Sequence, residues 1–209
     1  MSQGIIYSII SKGGRPVQKK QHSLYTMTMM SFFIALIIIQ TFIPWLGYLP
    51  LGVTNVTIVH VTVIIAGILL GPKNGAFLGL IWGVLAIIRN IMQPTVLSPV
   101  FINPLVALPG RILVGLIIGF LADKFTRSRP AYFVYGALGS LINTSVTMTA
   151  AYLFAKEAIF SAMGISSEGL FSFILTIITA NGILEAVIAS LLVGILTPVL
   201  LKALKTKMR

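Results

Sequence analysis

Six apolar stretches, at about 24–43, 55–71, 75–92, 104–122, 131–155 and 169–201, fill most of a 209-residue chain. Each is long enough, or nearly so, to cross ~30 Å of hydrocarbon as a helix. Breakers separate them: Pro44, Gly47, Pro50 and Gly52 after the first, Gly71-Pro72 between the second and third, and Pro94, Pro99 and Pro104 before the fourth. The last stretch exceeds one span and is expected to tilt, or to lie partly in the interface before Leu170. Only 9% of the residues are charged, against about 25% in a soluble domain. The chain therefore reads as an all-α integral membrane protein with six transmembrane helices. Residues 1–23 read as an N-terminal tail, 24–202 as the six-helix domain and 203–209 as a basic C-terminal tail.

The basic residues set the orientation. In a six-span arrangement twelve of the fifteen Lys and Arg fall on one side: Lys12, Arg15, Lys19, Lys20, Lys73, Lys124, Arg127, Arg129, Lys202, Lys205, Lys207 and Arg209. The positive-inside rule then places both termini in the cytoplasm. The net charge of +11 is thus read as topology and contact with anionic lipid rather than nucleic-acid binding. The N-terminus does not read as a cleavable signal, because its apolar run is too long and no small-residue cleavage site follows. The patch IIYSII (5–10) is apolar enough to touch the membrane surface.

Several chemistries are excluded. There is no cysteine, and His22 and His60 give no metal-ligand spacing. No Walker A pattern, dinucleotide loop, HExxH or GxSxG occurs. Asp123 and Glu157 are expected at opposite membrane faces, so no acid pair is available for hydrolysis. The two halves of the chain differ in loops and polar positions, which argues against a carrier built from three-helix repeats.

Against this apolar background a few polar groups lie deep. Counting ~1.5 Å of rise per residue from the nearest cytoplasmic anchor puts Arg89 roughly 24 Å up, Glu185 about 25 Å, and Arg111, His60 and Asn143 about 20 Å. Asn181 sits one turn above Glu185 on the same face, and Asn55 lies near the outer surface. Five helices thus carry polar groups into the outer half of the membrane. Charge there is expensive and marks a pathway or ligand site. In the plainer reading, an arginine pairs with Glu185, asparagines bond across helices and Arg89 snorkels to the surface. Two arginines against one carboxylate, however, leave one positive charge over. That surplus is costly unless an anion supplies the partner, and a carboxylate matches the guanidinium fork.

Above this layer IPWLGYLPLG (43–52) is a candidate lid carrying Trp45 and Tyr48, or equally an interfacial aromatic belt. Gly75, Gly79 and Gly83 recur every fourth position, as do Gly115 and Gly119; these ridges are expected to pack within the bundle. Ser31 and Ala35 form a shorter small-residue ridge on the first helix.

The runs TFIPWLGYLPLG (41–52), TIVHVTVIIAGILLGPKNGA (57–76) and INPLVALPGRILVG (102–115) resemble the substrate-binding S components of energy-coupling-factor (ECF) vitamin importers, most closely the pantothenate-specific branch. The resemblance covers essentially residues 25–202. It implies an S-component-like bundle whose first loop closes over the vitamin, so that the polar residues counted into the outer layer, Asn55, His60, Arg89, Arg111, Asn143, Asn181 and Glu185, are the expected substrate-binding residues and Trp45 and Tyr48 belong to the gating loop. It implies partners too: a membrane-embedded coupling subunit, which the first helix meets through an AxxxA pattern read here as Ser31 and Ala35, and two cytoplasmic ATPases. No cofactor is implied in this chain; ATP and Mg belong to the partner ATPases. The carrier is expected to topple and so deliver the vitamin inward across the bacterial plasma membrane. Two alternatives stay open: another vitamin precursor, hydroxymethylpyrimidine or pyridoxine, or a stand-alone proton-coupled carrier using Glu185 and His60 as relay.

Overall fold

The structure, a computed structural model, describes residues 17–50, 55–125 and 127–207. The patch at 5–10, the tail up to residue 16 and the tip of the first loop, 51–54, lie outside the described residues. Among the described residues ten helices and two short strands follow one another: α1 (Val17–Phe42), α2 (Pro44–Gly47), β1 (Tyr48–Pro50), β2 (Asn55–Thr57), α3 (Val59–Leu70), α4 (Pro72–Met92), α5 (Ser98–Phe101), α6 (Pro104–Ala107), α7 (Pro109–Lys124), α8 (Arg129–Phe154), α9 (Lys156–Met163) and α10 (Ser167–Lys207). Among the described residues four segments are long and apolar enough to cross a membrane: Leu24–Phe42, Pro72–Met92, Pro104–Lys124 and Glu168–Leu204. This is a helical membrane protein.

Two departures from the sequence expectation bear on the site. The second stretch is not helical from residue 55. Asn55–Thr57 is a strand that pairs antiparallel with Tyr48–Pro50, in the register Tyr48↔Thr57, Leu49↔Val56, Pro50↔Asn55. The β-branched run VTNVTIV (53–59) favours that extended start. The helix that follows, Val59–Leu70, has 12 residues and spans only about 18 Å. The fifth stretch forms a helix of 26 residues, and Ser140, Asn143, Thr144 and Thr147 give its buried face a polar stripe.

Contacts divide the chain into residues up to Phe32 and residues from Phe33 onward. In the first unit the Thr28 and Ser31 hydroxyls donate back to the carbonyls of Leu24 and Met27, each at 3.0 Å, and Ser31 is exposed. Ala35, in the second unit, is exposed as well.

Within the second unit α3, α4 and α7 meet along a glycine seam. A Cβ built on Gly75 would lie 2.5 Å from the Gly115 carbonyl oxygen, and one on Gly67 would lie 2.9 Å from the same atom. A Cβ on Gly79 would strike the Arg111 carbonyl. Both glycine ridges therefore pack inside the fold, backbone on backbone. The tight turn into α4 rests on Gly71 at φ 85, a conformation open to glycine at little cost, with Pro72 opening the helix behind it. Beside the seam, Ile64, Ile68, Leu78, Val114 and Ile118 are fully buried. A second apolar cluster, including Val106, Met148, Ala151, Ile159 and Ile174, packs α9 against α8 and α10.

Candidate functional site

A cavity of about 320 Å³ opens among β1, β2, α4, α5, α7, α8, α9 and α10. Its polar lining comes from Thr57, Arg89, Asn90, Thr95, Arg111, Asn143, Thr144, Thr147, Asn181 and Glu185. Leu97, Phe101, Met148, Met163 and Ile177 supply an apolar wall. A few convergent polar groups in a mostly apolar hollow is the usual form of a small-molecule site.

The two arginines dominate it. Arg89, in the last turn of α4, is 7% exposed, and Arg111, in the first turn of α7, is 8% exposed. Arg89 therefore turns inward rather than snorkelling. Each guanidinium lies over an aromatic ring: Arg89 Cζ is 4.0 Å from the Tyr48 centroid and Arg111 Cζ is 4.8 Å from the Trp82 centroid. Such stacking favours a cation. The Trp82 Nε1–H donates to the Tyr48 hydroxyl at 3.4 Å, so the two stacks are joined. One Arg111 nitrogen, Nη1, donates to the Ala107 carbonyl one turn back, while the Nε of both arginines is buried with no hydrogen-bond partner among the described residues.

Glu185 does not neutralise either of them by contact. Its Oε1 accepts from the Thr57 backbone N–H at 2.7 Å and its Oε2 from the Thr144 hydroxyl at 3.1 Å. Among the described residues the one ion pair within 4.0 Å joins Arg127 to Asp123 at the far end of α7. The plainer reading, in which Glu185 pairs with an arginine, is thus not what the structure contains.

The other expected residues separate. Asn143 and Asn181 line the cavity, and Asn143 Oδ1 and Thr147 Oγ1 are buried without a partner among the described residues. His60 is only 1% exposed, yet it is not among the lining residues. Asn55 occupies the strand position opposite Pro50, and its side chain lies outside the described residues. Tyr48 lines the cavity, whereas Trp45 is 74% exposed, the placement of an interfacial aromatic. Sequence reasoning passed over Asn90, whose Oδ1 accepts from Ser98 Oγ at 2.8 Å while its Nδ2 donates to the Ala86 carbonyl at 2.8 Å. It also passed over Thr144 and Thr147, although Thr147 stands four residues from Asn143 and three from Thr144, a usable signal.

Residues 25–197 match the family described as "ECF transporter, substrate-specific component". The chain belongs to that family. It is a transporter component rather than an enzyme. It is 37% identical over 187 residues to a pantothenate transporter, PanT, of Leuconostoc mesenteroides subsp. mesenteroides, an alignment that covers 83% of this chain and 91% of the relative. It is 28% identical over 201 residues to a pantothenic acid transporter, also PanT, of Lactococcus lactis subsp. cremoris, covering 88% of this chain and 97% of that one. The seam, the cavity and both arginines all lie inside the matched region of this S component.

Proposed function

We propose that this S component captures pantothenate from outside a bacterial plasma membrane. The observation that carries the proposal is the pair of buried guanidiniums facing one cavity with no carboxylate within 4.0 Å among the described residues. A ligand carboxylate would relieve that surplus, and the fork geometry suits it. Pantothenate also brings two hydroxyls and an amide. Asn143, Thr147 and Asn181 offer partners for these, and the wall of Leu97, Phe101 and Met148 suits its hydrocarbon. The names of both relatives support the same ligand.

In this proposal the chain crosses the membrane six times with both termini in the cytoplasm. It works with a transmembrane coupling subunit, met through Ser31 and Ala35, and with two ATPases that supply ATP and Mg, and it delivers the vitamin by toppling. Because the chain has no cysteine, orientation is directly testable with single-cysteine variants. Ser128→Cys should react with an impermeant reagent only from the cytoplasmic side, and Ser161→Cys only from outside; the reverse labelling would overturn the topology.

Binding of radiolabelled pantothenate to the purified protein tests the ligand. Wild type should bind without any partner, and Arg89→Ala and Arg111→Ala should each weaken binding by about 2–5 kcal/mol, the usual result of truncating one member of a buried charge pair. A folded wild type that binds a carboxylate-free precursor and ignores pantothenate would sink the ligand assignment. Uptake that persists without any ATPase would instead favour a stand-alone carrier.

A further inference from the structure

Glu185 lines the cavity, but both of its oxygens are occupied by protein. What it holds is the informative part. The Thr57 N–H that it accepts belongs to β2, and Thr57 is paired in register with Tyr48 on β1. The Tyr48 ring in turn lies under the Arg89 guanidinium, and its hydroxyl accepts from Trp82, whose ring lies under Arg111. One carboxylate on α10 thus connects, through a hairpin pair of two three-residue strands, to both cationic stacks. A two-stranded ribbon is marginal by itself and needs such an external tie. The second tie, from Thr144 on α8, fixes the carboxylate's own rotamer.

We infer that Glu185 is a positioning residue: it sets the two arginines for their ligand by holding the Tyr48–Thr57 hairpin, without touching the ligand. The inference rests on the proposed anion-binding role of the arginines, but the tie to the hairpin can be tested without any ligand.

The substitutions Glu185→Ala and Glu185→Gln separate this role from direct contact. In Glu185→Ala the Thr57 amide loses its acceptor. Its hydrogen exchange in the purified, ligand-free protein should speed up about tenfold or more, the scale of one hydrogen bond to a charged group, while the amides of Val63–Ala66 in α3 keep their wild-type protection. Glutamine can still accept from Thr57 and can donate to Thr144, so Glu185→Gln should recover most of the lost protection. Pantothenate affinity should follow the same pattern, falling in the alanine variant and largely rescued by glutamine.

A double-mutant cycle with Tyr48→Ala is the sharper test, because residues that act through one another show non-additive losses. Glu185→Ala should weaken binding far less in the Tyr48→Ala background than in wild type. Additive losses would overturn the inference. So would a glutamine variant as impaired as alanine with Thr57 exchange unchanged, since Glu185 would then be reading the ligand through its charge. If the alanine variant does not fold, Thr144→Val, which removes one of the two ties with little change in shape, takes its place in the exchange measurement and the cycle. If wild type binds no pantothenate, the ligand assignment fails on its own and Thr57 exchange still decides the tie.

Discussion

The glycine seam and the cavity lie a few turns apart on the same helices and are built on opposite terms. Along the seam, backbone meets backbone: Gly67 and Gly75 both crowd the Gly115 carbonyl, and no side chain intervenes. Around the cavity, side chains stand off from one another, and several buried polar atoms, among them Asn143 Oδ1 and Thr147 Oγ1, have no partner among the described residues. Interiors of native density tolerate little added volume, whereas unsatisfied buried polar groups are rare in ordinary cores and call for an explanation. The seam stores stability, and in the proposed function the cavity's unpartnered groups are those that meet the ligand. Arg111 belongs to both, since its carbonyl faces Gly79 across the seam while its guanidinium lines the cavity.

Substitutions should therefore sort into two kinds. Gly75→Leu should have the largest effect. Its side chain would have to displace backbone, so the loss should reach or exceed the upper end of the ~1–3 kcal/mol typical of overpacked cores, read as loss of monodisperse folded protein and a fall in Tm. A stable Gly75→Leu protein would break the contrast from the seam side. Arg111→Lys comes next. It keeps the charge but loses the fork and the stack on Trp82, so pantothenate binding should weaken by about 1.5–3 kcal/mol, one charge-assisted hydrogen bond, with Tm little changed. Thr147→Val should weaken binding by about 1 kcal/mol and raise Tm slightly, because a buried hydroxyl without a protein partner is removed. A drop in Tm would mean that the hydroxyl serves the fold instead. Tyr48→Phe should have the smallest effect, less than about 1 kcal/mol, since the ring under Arg89 remains and only the long bond from Trp82 is lost.

Much of this was legible in advance, and each failure has a physical cause. Counting rise from basic anchors grouped Arg89, Arg111, Asn143, Asn181 and Glu185, and all five line one cavity, because relative height along a helix depends only on residue number. The same count placed His60 in that layer, yet His60 does not line the cavity. Depth says nothing of which way round the helix a side chain faces, and a twelve-residue helix that is apolar on all sides offers no amphipathic pattern to say so. The hairpin was not legible at all. Strands of three residues leave no period to detect, and this pair leans on Glu185, 128 residues from Thr57 in the chain. The fifth helix lay in the right place, and its polar face, which thins its hydropathy, is the face that lines the cavity.

The unpaired guanidiniums also have an electrical side. Arg89, Arg111 and Glu185 carry a formal charge of +1 between them, and a bound monocarboxylate brings that sum to zero. An elementary charge moved across a membrane potential exchanges about 2.3 kcal/mol per 100 mV. If the site changes its depth in the bilayer, as the proposed toppling requires, the filled site is nearly indifferent to the voltage and the empty one is not.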